Sequence, residues 1–328
     1  MNIILLSGGC GKRLWPLSNG LRSKQFLKVL KTESGDYESM VQRFYRKIKA
    51  VLPQAKVIVA TSRDQISSIH DQLGENVGLS VEPCRRDTFP AIALASSYLV
   101  DMQGAGLEES VVVCPVDSYV EDEYFCELKT LGDQADKGMS NLILMGIKPD
   151  YPSEKYGYII PEDNCRISRV LDFKEKPDIK KAEEYICQGA LWNGGVFACK
   201  LGYVLKRAHE IIDFKDYGDL LNKYDILQEI SFDHAVVEKE SKIQVIRYWG
   251  KWKDLGTWNT LSESMEESCV GNVMDKHCSN VHIINELGIP ILAVGLKDIV
   301  ICACQDGILV SDKEQSSSIK SYVERIEG

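Results

Sequence analysis

The sequence lacks the run of about 18 or more apolar residues that a membrane-spanning helix needs. Its first residues, MNIILLSGG, contain neither a basic region nor a cleavage site, so no secretory leader is predicted. The 11 cysteines are odd in number and include no CxxC pair, which argues against a disulfide framework or a zinc ribbon. These absences predict a cytoplasmic protein with reduced thiols and no membrane partner.

Positive charge is also scarce, because 39 Lys and Arg residues stand against 48 Asp and Glu residues and give a net charge of −9. Such a balance disfavours nucleic acid as a partner. The first 32 residues are an exception, since they contain six basic residues and no acidic one. This cationic segment on an acidic chain indicates a local site for an anion.

The length of 328 residues favours roughly two domains, and the apolar content of 44% is that of a globular protein. Short apolar runs that predict buried strands alternate with segments of helical periodicity. The strands are predicted at 3–6, 57–61, 79–81, 111–114 and 142–147, and the helices at 40–52, 66–73 and 90–102. This alternation predicts an α/β fold with a parallel sheet, helices on both faces and ligands at the carboxyl ends of the strands.

The pattern becomes less regular beyond residue 150. Strand-like YGYII and ISRVLDF occur there, with helices predicted near 178–188, 202–212 and 216–230. We interpret this stretch as an extension of the same catalytic unit that carries the second substrate. After about residue 268, short strand-like pieces separated by Gly, Asp or Asn precede a helical segment at 317–326 and predict a few β-helix coils or a small sheet.

A glycine-rich loop, SGGCGKRL, follows the first predicted strand. Its three glycines allow backbone N–H groups to point into one concavity, and its Lys-Arg pair adds positive charge there. The loop is not a Walker A sequence, because Arg13 follows the Gly-Lys pair, and Leu14 stands where the third Rossmann glycine belongs. An incidental basic pair beside a glycine turn is the alternative, and Lys24, again without an acidic neighbour, favours phosphate binding instead.

Seven motifs together resemble those of the sugar-1-phosphate nucleotidyltransferases. GGCGKRLWPLS followed by SKQFL is similar to the signature of this family, and its WPLS and QFL point to the mannose-1-phosphate guanylyltransferase branch. The later motifs that resemble this branch, in order, are EPCRRDTFPAI, CPVDS, FKEKP, WNGGVF, FDHAV and WKDLGTW. The resemblance implies a Rossmann-like fold with a mixed, mostly parallel sheet. It also implies a catalytic domain over residues 1–265 and a small left-handed β-helix-like tail with a terminal helix over residues 266–328.

The resemblance implies transfer of GMP from GTP to mannose 1-phosphate, which gives GDP-mannose and pyrophosphate with Mg²⁺ as cofactor. A phosphate oxygen is already ionised at pH 7, so this reaction needs no general base. The protein has to align two anions and neutralise their charge. In relatives with such a tail, the tail often packs against the catalytic domain or against a second subunit, so a homodimer is implied as well.

The resemblance also carries roles to individual residues. Arg13 would neutralise the leaving pyrophosphate, Lys24 would reach the α-phosphate and Glu82 would accept hydrogen bonds from guanine. The catalytic residues implied are Arg13, Lys24, Asp117, Lys176 and Asp254, with Asp117 and Asp254 as the Mg²⁺ ligands. The nucleotide-binding residues implied are Leu6, Gly8, Gly9, Gly11, Lys12, Arg13, Lys24, Glu82, Pro83, Asp87 and Thr88. The sugar-phosphate-binding residues implied are Gly157, Glu175, Lys176, Asn193 and Gly194.

Some positions depart from the pattern of this branch. Ser23 replaces a proline, Asp87 an asparagine and Phe89 a smaller residue, while Val116 and Ser118 replace an alanine and a histidine. These changes leave open another sugar 1-phosphate, such as a manno-heptose 1-phosphate, or another nucleoside triphosphate. A non-catalytic nucleotide-sugar sensor is disfavoured because the charged residues of the pattern are present, and a nicotinamide dehydrogenase would need the Rossmann glycines.

Overall fold

The computed structural model describes residues 1–9, 12–19 and 22–326, with the backbone alone at residues 12, 317 and 324. Strands and helices alternate through the first half of the chain, and the predicted elements of this half are confirmed. In chain order they are β1 (Asn2–Leu6), β2 (Leu30–Lys31), β3 (Tyr37–Glu38), α1 (Met40–Val51), β4 (Lys56–Ser62), α2 (Ile66–Leu73), β5 (Gly78–Glu82), α3 (Thr88–Asp101), β6 (Ser110–Pro115), β7 (Ser118–Val120), α4 (Asp122–Asp136) and β8 (Leu142–Ile147).

The next part of the chain has longer connections and shorter helices. Its elements are β9 (Gly157–Pro161), β10 (Ile167–Lys174), α5 (Ile179–Cys187), β11 (Leu191–Lys200), α6 (Leu201–His209), α7 (Tyr217–Asn222), α8 (Phe232–Ala235), β12 (Ile243–Tyr248), β13 (Trp252–Asp254) and α9 (Trp258–Ser262).

The helix predicted over 216–230 is wrong in its second half. The α-helix ends at Asn222, a 3₁₀ turn covers Tyr224–Ile226, and Leu227 is extended. The physical reason is tertiary, because the Tyr224 side chain is fully buried and its hydroxyl donates to the Glu82 carboxylate. These contacts override the local helical periodicity.

Nine strands form one mixed sheet in the order β5-β4-β1-β6-β11-β8-β12-β10-β9. The first four run parallel to one another, as does the pair β8 and β12. The long strand β11 is antiparallel to both β6 and β8 and also pairs with β9. The predicted parallel sheet is therefore confirmed for its amino-terminal part and becomes mixed where the less regular segment joins it.

The sheet is buried on both faces, as the continuous apolar strands predict. Along β1, Ile3 and Leu5 belong to the core on one face and Ile4 to the core on the other. The first core also contains α1 and α4 residues such as Phe44 and Leu128, and the second contains α3 residues such as Leu94. The helices thereby fix the strands whose carboxyl ends carry the candidate site.

The last part of the chain consists of short strands that alternate between two small sheets. β14, β16 and β18 pair in parallel in one sheet, with β19 antiparallel at its edge, while β15 and β17 pair in parallel in the other. These elements are β14 (Cys269–Val270), β15 (Val273–Lys276), β16 (His282–Asn285), β17 (Ile291–Val294), β18 (Ile299–Cys304), β19 (Gly307–Asp312) and α10 (Ile319–Ile326).

This carboxyl-terminal part shares a hydrophobic core with the segment that follows the glycine-rich loop. Leu14 and Leu17 of that segment pack in one cluster with Val300, Ile319 and Val323. Within the described ranges, no helix is long and apolar enough to cross a membrane.

Candidate active site

A cavity of about 470 Å³ opens at the carboxyl ends of the parallel strands, the place that the α/β pattern predicts for a ligand. Its wall contains both the loop after β1 and the start of α3. The sequence-predicted site residues among its lining are Leu6, Gly8, Gly9, Lys24, Glu82, Asp87, Thr88 and Asp117. Pro83 and Arg13, which the structure also describes, do not line this cavity. Gly11 and the side chain of Lys12 lie outside the described residues.

The glycine-rich loop borders open space. A Cβ atom built on Gly8 would lie 3.7 Å from the Glu82 carboxylate, and one built on Gly9 would meet no atom within 4 Å. The next residues form a short 3₁₀ helix, Lys12–Leu14, in which Leu14 is buried and Arg13 is exposed.

The Lys24 ammonium group joins the two aspartates that were predicted to bind Mg²⁺. Its Nζ lies 2.9 Å from Asp117 Oδ2 and 3.4 Å from Asp254 Oδ1. Lys24 is buried, whereas both carboxylates keep part of their surface exposed. The structure therefore brings these three residues together at the edge of the cavity.

A two-stranded ribbon explains how residues so distant in sequence meet. The short strands β7 and β13 are antiparallel, and their register places Asp254 opposite Ser118. The next backbone N–H, that of Leu255, donates to the carbonyl oxygen of Asp117 at 3.3 Å. The backbone thus holds the two carboxylates side by side.

Electrostatics favours the charged forms of Lys24 and Asp117. Burial opposes the charge on Lys24, but the two aspartates outweigh it and raise the pKa of the ammonium group. Burial likewise opposes charge on Asp117, yet the nearby Lys24 lowers the pKa of that carboxyl group. One cation between two carboxylates is the arrangement that results.

Glu82 is an acidic residue in the wall of the cavity, at the carboxyl end of β5. It is 8% exposed, and the Tyr224 hydroxyl donates to its Oε2 at 2.6 Å. Burial raises the pKa of Glu82 to about 6, while the hydrogen bond from Tyr224 opposes that rise. The other oxygen faces the Gly8 side of the cavity.

Asp87 lines the same cavity with an uncommon backbone conformation. Its φ of 65° and ψ of −175° lie in a region that almost only glycine occupies. Its carboxylate accepts a hydrogen bond from the Thr88 N–H at 2.7 Å and caps α3. Strained residues of this kind cluster at functional sites, and this one stands at the position of a departure from the family pattern.

The predicted sugar-binding residues gather in a second cluster. Asn193 Nδ2 donates to Asp233 Oδ1 at 2.8 Å, and Asn193 Oδ1 accepts from the Gly195 N–H at 3.1 Å. Lys176 Nζ lies 2.7 Å from Glu175 Oε1. Burial, and after it the charge of Glu175, raises the pKa of Asp233 to about 6.

Glycines give this cluster its shape. A Cβ atom on Gly157 would lie 2.6 Å from Glu175 Oε2, so this position requires glycine for the glutamate to stay in place. Gly194 and Gly195 lie in an irregular stretch of β11, where its register with β8 shifts between Asn193 and Phe197. Gly195, with φ of 73°, approaches Pro115, which lines the cavity.

Lys176 is paired with Glu175 in the second cluster. Its hydrogen bond to Glu175 raises the pKa of its ammonium group, and the charges of Asp233 and Asp87 act in the same direction. Its φ of 42° is left-handed, which is uncommon for lysine. The charge of Asp87, which lines the cavity, and that of Asp233, in the second cluster, therefore both act on Lys176.

Sequence reasoning missed three residues of the site. Asp233 lies in the FDHAV motif, but no role was inferred for it. Tyr224 lies 142 positions from Glu82, and Gln65 is a buried glutamine beside the glycine-rich loop. The motif offered a signal for Asp233, whereas nothing in the local sequence marks the other two.

Comparison with known proteins gives a consistent picture. A family model described as nucleotidyl transferase matches residues 2–269. The alginate biosynthesis protein AlgA of Pseudomonas aeruginosa is 29% identical, over 99% of this chain and 72% of its own length. A mannose-1-phosphate guanylyltransferase of Escherichia coli is 30% identical, over 99% of this chain and 75% of its own length.

A solved structure agrees over the whole chain. The crystal structure of mannose-1-phosphate geranyltransferase from Thermus thermophilus superposes with a TM-score of 0.82 and 27% identity. It covers 100% of this chain and 99% of its own chain, so the carboxyl-terminal strands have counterparts there as well.

Proposed function

This chain belongs to the nucleotidyl transferase family, and we propose that it transfers GMP from GTP to mannose 1-phosphate, giving GDP-mannose and pyrophosphate. The observation that carries the proposal is the position of Lys24 between Asp117 and Asp254 at the edge of a cavity that the glycine-rich loop and Glu82 also line. Relatives named mannose-1-phosphate guanylyltransferase support the choice of both substrates.

The cavity is the nucleotide site. The loop glycines Gly8, Gly9 and Gly11 hold the phosphates with backbone donors, and Lys12 and Arg13 supply positive charge to them. Guanine presents an N1–H and an exocyclic amine, and Glu82, whose Oε1 faces the Gly8 side of the cavity, is suited to accept a hydrogen bond from guanine. The further nucleotide-binding residues of the proposal are Leu6, Pro83, Asp87 and Thr88.

The second cluster is the site of mannose 1-phosphate. Glu175 accepts hydrogen bonds from sugar hydroxyls, and Asn193, oriented by Asp233, both donates and accepts. Lys176, which is paired with Glu175, binds the sugar phosphate. The glycines at Gly157 and Gly194 let the sugar ring approach the backbone.

Asp117 and Asp254 fit a magnesium ion. Their carboxylates already converge on one cation, the Lys24 ammonium group. Magnesium takes few protein carboxylates and completes its shell with phosphate oxygens and water, so two aspartates are enough. When bound, Mg²⁺ would neutralise phosphate charge and orient the α-phosphate.

The side chains of this site then align the two substrates and neutralise their negative charge, and none of them has to transfer a proton. Lys176 presents a sugar phosphate oxygen to the α-phosphorus, and Lys24 stabilises the negative charge around that phosphorus. The new P–O bond forms as the bond to the β-phosphate oxygen breaks, and Arg13 receives the pyrophosphate that leaves. Because the attacking oxygen is already ionised, no side chain has to act as a base.

The competing substrates are another sugar 1-phosphate, such as a manno-heptose 1-phosphate, and another nucleoside triphosphate. A pyrophosphate-release assay that crosses four nucleoside triphosphates with several sugar 1-phosphates, with and without Mg²⁺, separates them. Fastest turnover with GTP and mannose 1-phosphate supports the proposal, and turnover of glucose 1-phosphate with UTP or dTTP alone contradicts it. Failure of every pair supports instead a non-catalytic nucleotide-sugar sensor.

The organisation that we propose is a catalytic domain over residues 1–265 and a β-helix-like tail over residues 266–328. The alternation of the tail strands between two parallel sheets supports this reading of the tail. The homodimer and the cytoplasmic location stay predictions.

A further inference from the structure

A cluster of buried, uncharged polar groups lies behind the glycine-rich loop. At its centre is Gln65, which is 1% exposed. Gln65 Nε2 donates to Ser23 Oγ at 2.8 Å and to the Gly9 carbonyl oxygen at 3.5 Å, and Gln65 Oε1 accepts from the Thr61 hydroxyl at 2.8 Å. We call these four residues the Gln65 cluster. One side-chain amide thus joins three separate segments of the chain.

One of the three segments belongs to the sheet, and the other two border the cavity. Thr61 belongs to β4, a strand that pairs in parallel with both β1 and β5 and so is fixed by the sheet. Gly9 belongs to the glycine-rich loop, and Ser23 directly precedes Lys24. The Gln65 cluster therefore ties two pieces of the cavity wall to the rigid sheet.

Gln25 adds a second tie on the other side of Lys24. It is also 1% exposed, and its Nε2 donates to the Ser7 carbonyl oxygen at 2.8 Å and to that of Gly9 at 3.4 Å. Lys24 is thus flanked by two residues, Ser23 and Gln25, that are hydrogen-bonded to the same network. The same hydrogen-bond network therefore fixes both the backbone of Lys24 and the backbone of the glycine-rich loop.

We propose that Gln65 is a positioning residue that fixes the distance between the glycine-rich loop and Lys24, so that one nucleoside triphosphate meets both. The inference rests on the proposed function, in which the loop and Lys24 bind the same polyphosphate. Its physical basis is the high cost of leaving buried polar groups unpaired, because the Gln65 amide is paired at both ends, with the Thr61 hydroxyl group at one end and the Ser23 hydroxyl group at the other. Gln65 lies behind the loop and acts on the nucleotide only through its partners.

Ser23 offers a mild way to test the network, because its hydroxyl group is the partner of Gln65 Nε2 on the side of Lys24. The Ser23 backbone, with φ of −73° and ψ of 154°, is an ordinary extended conformation. Removing its hydroxyl group therefore changes the hydrogen bond without demanding a new backbone shape. Ser23→Ala is the mild variant and Gln65→Leu the severe one.

The experiment compares these two variants and their double mutant with the wild-type chain. Gln134→Leu is the matched control, since Gln134 is 3% exposed and hydrogen-bonded to Gln244 at 3.0 Å, on α4 outside the cavity lining. Steady-state kinetics gives the KM of each substrate, calorimetry gives the nucleotide affinity without the sugar phosphate, and thermal unfolding gives the stability.

We expect Gln65→Leu to lower kcat/KM for the nucleoside triphosphate by about tenfold or more. The KM of the sugar 1-phosphate should stay within about twofold of the wild-type value. Ser23→Ala should act in the same direction by a smaller factor, and the double mutant should lose less than the product of the two single losses. Gln134→Leu should lower the melting temperature without changing the ratio of the KM for the nucleoside triphosphate to the KM for the sugar 1-phosphate.

Equal changes in both KM values, or a kinetic effect of Gln134→Leu as large as that of Gln65→Leu, would overturn the inference. If Gln65→Leu does not fold, Ser23→Ala decides by the same criterion, a selective change on the nucleotide side. The wild-type chain separates this test from that of the proposed function. Absence of turnover with every substrate pair contradicts the function, whereas unchanged nucleotide affinity and kinetics in folded variants contradict only the role of Gln65.

Discussion

Asp254 lies opposite Ser118 in the antiparallel pair of β7 and β13, and this register sets its carboxylate beside that of Asp117. Two short strands of three residues each therefore build the candidate metal site. The side chain of Asp254 is partly exposed, and the register of the two strands depends on backbone hydrogen bonds. A change of this side chain should therefore affect the site without unfolding the protein.

Asp254→Ala should abolish metal-dependent turnover and leave the protein folded. Loss of one of two protein ligands should lower the rate of pyrophosphate release by at least about a hundredfold at equal Mg²⁺. The measurement is the initial rate over a range of Mg²⁺ concentrations, together with the melting temperature. Asp133→Ala removes an exposed carboxylate that pairs with Lys129 on α4 and serves as the control. A normal rate in Asp254→Ala would remove this residue from the site.

Several parts of the fold follow from local sequence. The apolar runs of β1 and β8 identify buried strands because a strand between two helical layers must be apolar on both faces. The glycine-rich loop could be predicted to bind an anion from its glycines, its basic pair and the nearby Lys24. The meeting of Asp117 with Asp254 came from the resemblance to a family, since no spacing rule relates positions so far apart.

Other features depend on contacts that only the folded chain contains. Tyr224 reaches Glu82 across 142 positions, and this contact ends the helix that the periodicity of 216–230 predicts. Gln65 has no local mark, because a buried glutamine and an exposed one look the same in a sequence. Local patterns report burial and periodicity, whereas polar networks depend on which loops meet in space.

The apparent affinity for GTP should fall as the pH drops through about 6. Burial raises the pKa of Glu82 to about 6, so acidification from pH 7 to 5 protonates it and removes an acceptor for guanine. Tyr224→Phe removes a donor that holds this pKa down, so the loss should begin at a higher pH. Calorimetric titration with GTP from pH 5 to 8, without the sugar phosphate, measures this.

Glu82→Gln is the control for that titration, since it has no group to protonate and its pH dependence reports the ligand alone. The charges of Arg85 and Asp87 act on Glu82 in opposite directions and are unchanged in both variants. A wild-type profile that matches that of Glu82→Gln would show that Glu82 does not bind the base.

Asp233→Asn should stabilise the protein at pH 7 while it impairs turnover. Burial raises the pKa of Asp233 to about 6, above its usual value, so the folded state binds its proton more tightly than the unfolded state does. The free energy of unfolding of the wild-type protein therefore falls as the pH rises through about 4 to 6 and Asp233 ionises. The asparagine of the variant does not ionise, so the variant avoids this loss. The gain should be about 1 to 2 kcal/mol at pH 7 and vanish at pH 4.

Denaturant unfolding at the two pH values measures this gain, and Asp64→Asn, at an exposed position, should show none. The Asn193 amide can still donate to the new side-chain oxygen, so the cluster should keep its shape. A stability gain of the same size at pH 4 would contradict an electrostatic origin.

Gly307→Ala should disturb the nucleotide side of the site from the carboxyl-terminal part of the chain. A Cβ atom at Gly307 would lie 2.6 Å from Trp15 Cζ2, which is too close for the indole ring to stay where it is. The Trp15 carbonyl oxygen accepts from Trp258 Nε1 at 3.1 Å, and that of Pro16 accepts from Cys304 Sγ at 3.2 Å. Because the backbone is held in this way, the strain has to fall on the Trp15 side chain and on its neighbours.

We expect Gly307→Ala to destabilise the fold by about 1 to 3 kcal/mol, the usual cost of overpacking. The KM for GTP should rise, because Trp15 is two residues from Arg13 and in the same short segment. Gly288→Ala is the matched control, since a Cβ atom there would meet nothing within 4 Å. Melting temperatures and both KM values of the two variants provide the comparison. If the two alanine variants have the same melting temperature and the same KM for GTP, the contact between Gly307 and Trp15 does not affect the proposed nucleotide site.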